Sequence, residues 1–151
     1  MKKLILVLIF VFVAASSGFG ASTAAYVEHT AGNLYQLTIT HTCGAGSAVF
    51  TNTKIPYNLR GWILYMVRTY PGGTAPTDAS DLYLYQHASN GKDILDGGGV
   101  DKLDATSTLT FKPLVNTSDG VALITGDLYF FAENNSVNAA IVIVELFLLK
   151  P

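Results

Sequence analysis

Charge is scarce in this chain. Only 13% of its 151 residues are Asp, Glu, Lys or Arg, and 50% are apolar. That balance excludes a self-repelling disordered tail and suits one compact domain able to bury a core. Cysteine is scarcer still, because Cys43 stands alone. A single thiol excludes an internal disulfide framework and a cysteine-based zinc cage, both of which need several. It reads most simply as a small buried side chain, with intermolecular pairing open to it outside the cytoplasm. Helical patterning is also missing: no stretch beyond the N-terminus combines an apolar stripe at helical spacing with a cap.

What is present begins with a leader. Met1-Lys2-Lys3 followed by the apolar run Leu4 to Ala15 has the basic and hydrophobic regions of a secretory signal, and Gly18-Phe19-Gly20 puts small residues where a signal peptidase reads. The expected organisation is a signal peptide over residues 1–20, cut after Gly20 with Ala24/Ala25 as the alternative junction, and a single domain over 21–151. The apolar run is shorter than the roughly 20 residues that span hydrocarbon, so no stable membrane anchor is expected after cleavage. The protein is expected to be exported to a periplasmic or extracellular location. Without Lys2 and Lys3, the nine basic residues fall to seven against 11 acidic ones, a net charge of −4. Nucleic acid is not an expected partner, since no basic stripe exists to neutralise phosphates.

The remaining chain reads as strands. From Leu34 to His41, Tyr35, Leu37, Ile39 and His41 alternate with Gln36, Thr38 and Thr40, the period of a half-buried strand. Further strands are expected over Ser47–Thr51, Gly61–Tyr70, Asp81–His87, Thr106–Lys112, Val121–Ala132 and Ala139–Leu149, each rich in β-branched or aromatic residues between turn residues. Turns are expected at Cys43-Gly44-Ala45-Gly46, at Asn90-Gly91 as a type I′ pair, at Asn116 to Gly120, and at Asn134-Asn135-Ser136. The expected fold is therefore all-β: an antiparallel β-sandwich of about seven or eight strands, jelly-roll or immunoglobulin-like.

Two strands carry candidate surfaces. In Ala139–Leu149 both faces are apolar, with Ile141, Ile143, Phe147 and Leu149 on one and Val142, Val144, Leu146 and Leu148 on the other. A sandwich strand ordinarily keeps one wet face, so a second layer or another subunit is expected over this one. Glu145, the charge inside that run, is expected at a rim or against Arg60 or Arg68. In Asp81–His87, Leu82 and Leu84 take one face while Tyr83, Tyr85 and His87 take the other. Tyrosines in a row cover a sheet, fill a protein interface or stack on sugar rings. The candidate interface comprises Tyr83, Tyr85, Trp62, Val142, Val144, Leu146 and Leu148.

Motifs for chemistry are weak by comparison. Asp93, Asp96, Asp101 and Asp104 surround Gly97-Gly98-Gly99, which invites calcium, yet neither the EF-hand order nor the nonapeptide calcium pattern is met. The three glycines lack the Lys-Ser/Thr of a phosphate cradle. His29, His41 and His87 are expected on three different strands with no paired metal-ligand spacing, and no Gly-x-Ser-x-Gly elbow accompanies them. Neither metal nor cofactor is expected, and no catalytic residue is assigned. Asn116-Thr117-Ser118 and Asn134-Asn135-Ser136 match glycosylation acceptors formally but read as turns.

The stretch GWILYMVRTYPGGTAPTDASDLYLYQHASNGKDILDGGGVDKLDATS, from Gly61 to Ser107, resembles a group of small, mostly uncharacterised proteins encoded among the structural genes of tailed bacteriophages. The matching positions are Thr69, Pro71, Gly72, Ala75 to Asp78, the strand Leu82 to Tyr85, Gly91, Asp93, Leu95, Gly97, Gly98 and Asp101. The closing GDLYFFAENNSVNAAIVIVELFLL is similar to that group's last two strands. Leu82-Tyr83-Leu84 departs from the group's acidic strand, Gln86-His87 replaces its usual acidic pair, and a secretory leader is unusual for a virion part. The resemblance implies a non-enzymatic, virion-associated or secreted structural protein that packs against other subunits, its own or a virion's. The alternatives are a carbohydrate-binding module using Tyr83, Tyr85 and Trp62 on a cell-surface glycan, and a secreted hydrolase.

Overall fold

The computed structural model describes residues 22–150, so the leader expected over 1–20 lies outside the described residues. Two antiparallel sheets pack face to face, and no helix forms among the described residues. Numbered along the chain, the larger sheet sets β1 (Thr23–Ala31), β2 (Leu34–Thr42), β12 (Ile141–Leu149) and β4 (Ile63–Pro71) side by side. Two short strands, β7 (Leu109–Phe111) and β10 (Ala122–Leu123), share the far edge of β4. The smaller sheet runs β3 (Thr53–Lys54), β11 (Leu128–Glu133), β5 (Asp81–Gln86) and β6 (Lys92–Asp93), and β8 (Leu114–Val115) with β9 (Ser118–Asp119) forms a separate hairpin. The expected sandwich is thus present, built from twelve pieces because its edges are broken into two- and three-residue strands.

Alternation explains the core. Tyr35, Leu37, Ile39 and His41 of β2 are buried while their neighbours are half-exposed, and Leu82 and Leu84 of β5 meet them from the other layer together with Leu128, Phe130 and Ala132 of β11. Burying each of the leucines, Ile39 and Phe130 contributes on the order of 1.5–3 kcal/mol. At the middle of the larger sheet lies β12, with Leu146 between Leu37 and Val67 and Val144 between Ile39 and Thr69.

This placement corrects one expectation. Val142, Val144, Leu146 and Leu148 are 0% exposed and face the smaller sheet, so they are core and offer nothing to a partner. On the opposite face of β12, side chains of β4 cover Glu145 and Phe147, while Ile141 and Ile143 stay half-exposed and Leu149 is 38% exposed. Arg68 lays its guanidinium over the Phe147 ring at 5.0 Å, and Tyr65 meets the same ring edge-on at 6.2 Å. Glu145 lies between Thr38 and Arg68 in the ladder, with its Oε2 3.2 Å from Arg68 Nη1 and its Oε1 accepting from the Tyr70 hydroxyl at 3.2 Å. Of the two arginines considered for it, Arg68 is the partner. The approach is an ion pair without hydrogen-bond alignment, which leaves Oε2 with no donor.

Other departures have local causes. No strand forms over Ser47–Thr51: the Ser47 amide closes a turn on Gly44, and the Thr51 amide donates to the Ser22 hydroxyl, so these amides are satisfied outside any ladder. The strand expected over Val121–Ala132 is two strands in different sheets, since the chain crosses from the larger sheet to the smaller between Ile124 and Asp127. β1, expected only through the placing of His29 on a strand, is an edge strand, mostly exposed, that turns at Gly32-Asn33 and contains the alternative Ala24/Ala25 junction.

The Asn90-Gly91 pair does not adopt a type I′ turn. Neither residue has positive φ; His87 turns the chain instead, at φ 72°, and the Gly91 amide closes on the Ala88 carbonyl at 3.0 Å. Glycine is required at 91 because a Cβ there would collide with the Gln86 carbonyl oxygen. The I′ geometry is found at Asn116 and Thr117, with φ of 51° and 69°, in the two-residue turn joining β8 to β9.

Candidate functional site

The outer face of the smaller sheet carries an aromatic patch. β5 and β11 pair antiparallel with Tyr83 opposite Phe131, Tyr85 opposite Tyr129, and Asp81 opposite Glu133. Because alternate residues point oppositely, the register that sends Leu82, Leu84, Leu128, Phe130 and Ala132 inward sends all of these outward, although Asp81 at the end of its strand is itself buried, 7% exposed. Tyr83 and Tyr85 stack with planes 3° apart and centroids 5.6 Å apart. Phe131 completes the cluster at 6.2 Å and 6.3 Å, tilted by 31° and 32°. Such separations suit offset aromatic packing.

The charges around the patch are arranged by the same ladder. One row across the sheet reads Lys54, Tyr129, Tyr85, Asp93, and Lys54 is paired with Asp127 at 2.6 Å. At the other end Asp81 and Glu133 face each other with no salt-bridge partner among the described residues. Burial raises the Tyr83 hydroxyl above the usual phenol range, and the carboxylates of Asp81, Glu133 and Asp93 push it the same way. Tyr85 is raised by burial and then by Asp93 and Glu133.

Of the residues expected at an interface, Tyr83 and Tyr85 come together and Trp62 does not join them. Trp62 precedes β4 and packs on Tyr35 at 5.1 Å, against the core. Val142, Val144, Leu146 and Leu148 are removed by burial, as described above. The sequence reading missed Tyr129 and Phe131. Their signal lies in Leu128-Tyr129-Phe130-Phe131-Ala132, where unbroken apolar character hides an alternation that the Tyr83 register resolves.

The Asp- and Gly-rich segment is pinned rather than open. Asp93 Oδ1 accepts from the Leu84 and Leu95 amides, both at 3.1 Å, and its Oδ2 accepts from Gly97 at 3.2 Å. Asp81 Oδ1 accepts from the Asp101 amide at 2.8 Å, Asp78 Oδ1 from Ala105 at 2.7 Å, and Asp104 Oδ1 from Thr106 and Ser107. These carboxylates satisfy backbone donors of the loop, and no group of three or more His, Cys, Asp or Glu converges on a metal position among the described residues.

The three histidines stay apart. His29 lies on exposed β1. His87 Nε2 is 2.9 Å from Thr125 Oγ1, whose hydroxyl donates to Gln86 Oε1, so the pair braces the crossing between sheets. His41 is wholly buried between Phe50 and Phe130, with ring centroids at 5.3 Å and 4.8 Å. Thr53 donates its hydroxyl to the Thr51 carbonyl, so Nε2–H of His41 donates to Thr53 Oγ1 at 3.2 Å and Nδ1 keeps an unpartnered lone pair. Desolvation lowers its pKa from 6.5 to about 4. Cys43 is 2% exposed, and burial pushes its thiol upward. A cleft of about 300 Å³ between the β8–β9 hairpin and the β6 and β10 edges is lined by exposed Val115, Val121 and Leu123 with Lys92 and Asp96.

No family model, no curated protein and no solved structure matches this chain.

Proposed function

We propose that this protein is a non-enzymatic interaction module, exported or carried in a virion, that works by packing the aromatic face of its smaller sheet against other protein subunits. The Tyr83–Tyr85–Phe131 cluster carries the proposal: three large rings share a sheet face that nothing among the described residues covers, while Asp93 and Asp104 of the Asp- and Gly-rich loop spend their carboxylates on backbone amides. Half-buried tyrosines combine a rigid apolar plate with a polar tip, which suits a surface that is wet when alone and dry when docked. The resemblance to phage structural-region proteins points in the same direction.

Size measurement of the folded protein tests this. An oligomer that disperses when Tyr83→Ser and Tyr85→Ser are introduced, with the circular dichroism of the sheet retained, supports packing. Unchanged size in the double variant removes these rings from any self-assembly. A carbohydrate-binding module is the second proposal, favoured by the same rings; it requires retention of a monomer on polysaccharide. The stack favours protein over sugar, because two rings that face each other leave no continuous flat platform.

A further inference from the structure

The aromatic face is electrically lopsided. Directly opposed like charges destabilise a pair of strands, yet Asp81 and Glu133 occupy one cross-strand position. Asp81 is buried, only 7% exposed, and held in place, its Oδ2 accepting from Asn134 Nδ2 at 2.6 Å and its Oδ1 from the Asp101 amide, so its charge acts from beneath the surface. Those donors are neutral, so the negative charge of the pair is not cancelled. Glu133 is exposed and free to swing toward whatever approaches. The next position along the same face holds Phe131 and Tyr83, two residues from Glu133 and Asp81 respectively. Asp93 adds a third carboxylate beside Tyr85, whereas the cation on this face, Lys54, is already engaged by Asp127 at the far end.

A ring surface bordered by unneutralised carboxylates is the environment that a guanidinium or ammonium group favours, since the negative ring face and the carboxylates attract it together. We propose that the aromatic face receives an arginine- or lysine-bearing segment of a partner protein, its cation lying over Phe131 and Tyr83 and against the exposed Glu133 carboxylate. The proposal rests on the packing function above and names the partner's chemistry. Its cation relieves the Asp81–Glu133 repulsion, so docking is stronger than the ring contacts alone provide. Arginine fits better than lysine, because its planar group stacks on a ring while its forked donors reach both oxygens of Glu133.

The test uses a tetra-arginine peptide with blocked ends, titrated into the folded protein at low salt while the ring resonances of Tyr83, Tyr85 and Phe131 are followed. Saturable shifts at these rings are expected, with binding weakened up to about fivefold by Glu133→Gln, a loss set by the strength of an exposed ion pair. Glu133 is exposed, so this variant leaves the fold intact. Shifts confined to other residues, affinity unchanged in Glu133→Gln, or an equal response to a tetraglutamate peptide overturns the proposal. If Tyr83→Ser and Tyr85→Ser disperse an assembly while tetra-arginine leaves the rings undisturbed, the face packs against subunits without a cation, and this inference alone fails. If neither effect occurs, the packing function fails with it.

Discussion

His41 is the place where acid enters the core. It belongs to β2 of the larger sheet, touches Phe130 of the smaller one, and keeps a bare Nδ1 lone pair in an apolar environment. Protonation would place a charge and an N–H there with no acceptor, which is why its pKa falls from 6.5 to about 4. Between those two values the unfolded chain binds a proton that the folded chain refuses, so stability rises with pH across this window. The contribution is complete above pH 6.5 and is lost as pH falls to about 4, below which both states are protonated. One pKa unit corresponds to about 1.4 kcal/mol, giving a loss of roughly 3 kcal/mol. Urea unfolding followed by Trp62 fluorescence at pH 7.5, 5.5 and 4 measures it. His41→Leu preserves the apolar packing and leaves the Thr53 hydroxyl bonded to Thr51. The variant is expected to lack about 3 kcal/mol of the acid sensitivity shown by the parent chain. Equal acid losses in the two proteins would refute the reasoning, since carboxylate titration is common to both.

Three further outcomes follow from the packing. Arg68→Ala is expected to destabilise by about 2 kcal/mol, because it strips cover from Phe147 and leaves Glu145, only 8% exposed, with Tyr70 as its remaining partner; Glu145→Gln should cost less than half as much in the same urea assay. Asp93→Ala is expected to cost about 2 kcal/mol and to abolish hydrogen-exchange protection at the Leu95 and Gly97 amides, with Asp93→Asn milder because Oδ1 keeps its two donors. Gly91→Ala should lower the melting temperature through its clash with the Gln86 carbonyl, whereas Asn90→Ala should leave it nearly unchanged, the reverse of a type I′ turn's demands on its first residue.

The long strands were legible because each places one apolar face against the core: the alternation in Leu34–His41 and Asp81–His87 gives their faces directly. Ala139–Leu149 was found as a strand, but which of its faces is core was not, because both parities are apolar and the cover over Glu145 and Phe147 comes from Arg68, Tyr65 and Tyr70 on a neighbour that no local pattern identifies. Short edges escaped for a related reason. Thr53–Lys54 and Ala122–Leu123 each pair over two residues, too few for a period to register. The aromatic patch was half legible, through Tyr83 and Tyr85; Phe131 joins by cross-strand register, which is a property of two segments 48 positions apart in number. The Asp-rich loop drew attention through its composition, but only the amide donors show what those carboxylates hold.

Cys43 supplies a clock. Its sulfur lies inside the junction where the end of β2 meets the approach to β12, its own amide donating to Ala140 at 2.9 Å and its Sγ accepting from Asn135 at 3.7 Å. A thiol-reactive dye therefore waits for that junction to part, and with one sulfhydryl in the whole sequence every labelled molecule records a single opening event. Comparing the labelling rate with the rate of global unfolding would reveal whether this corner frays by itself or opens only when the two layers come apart together.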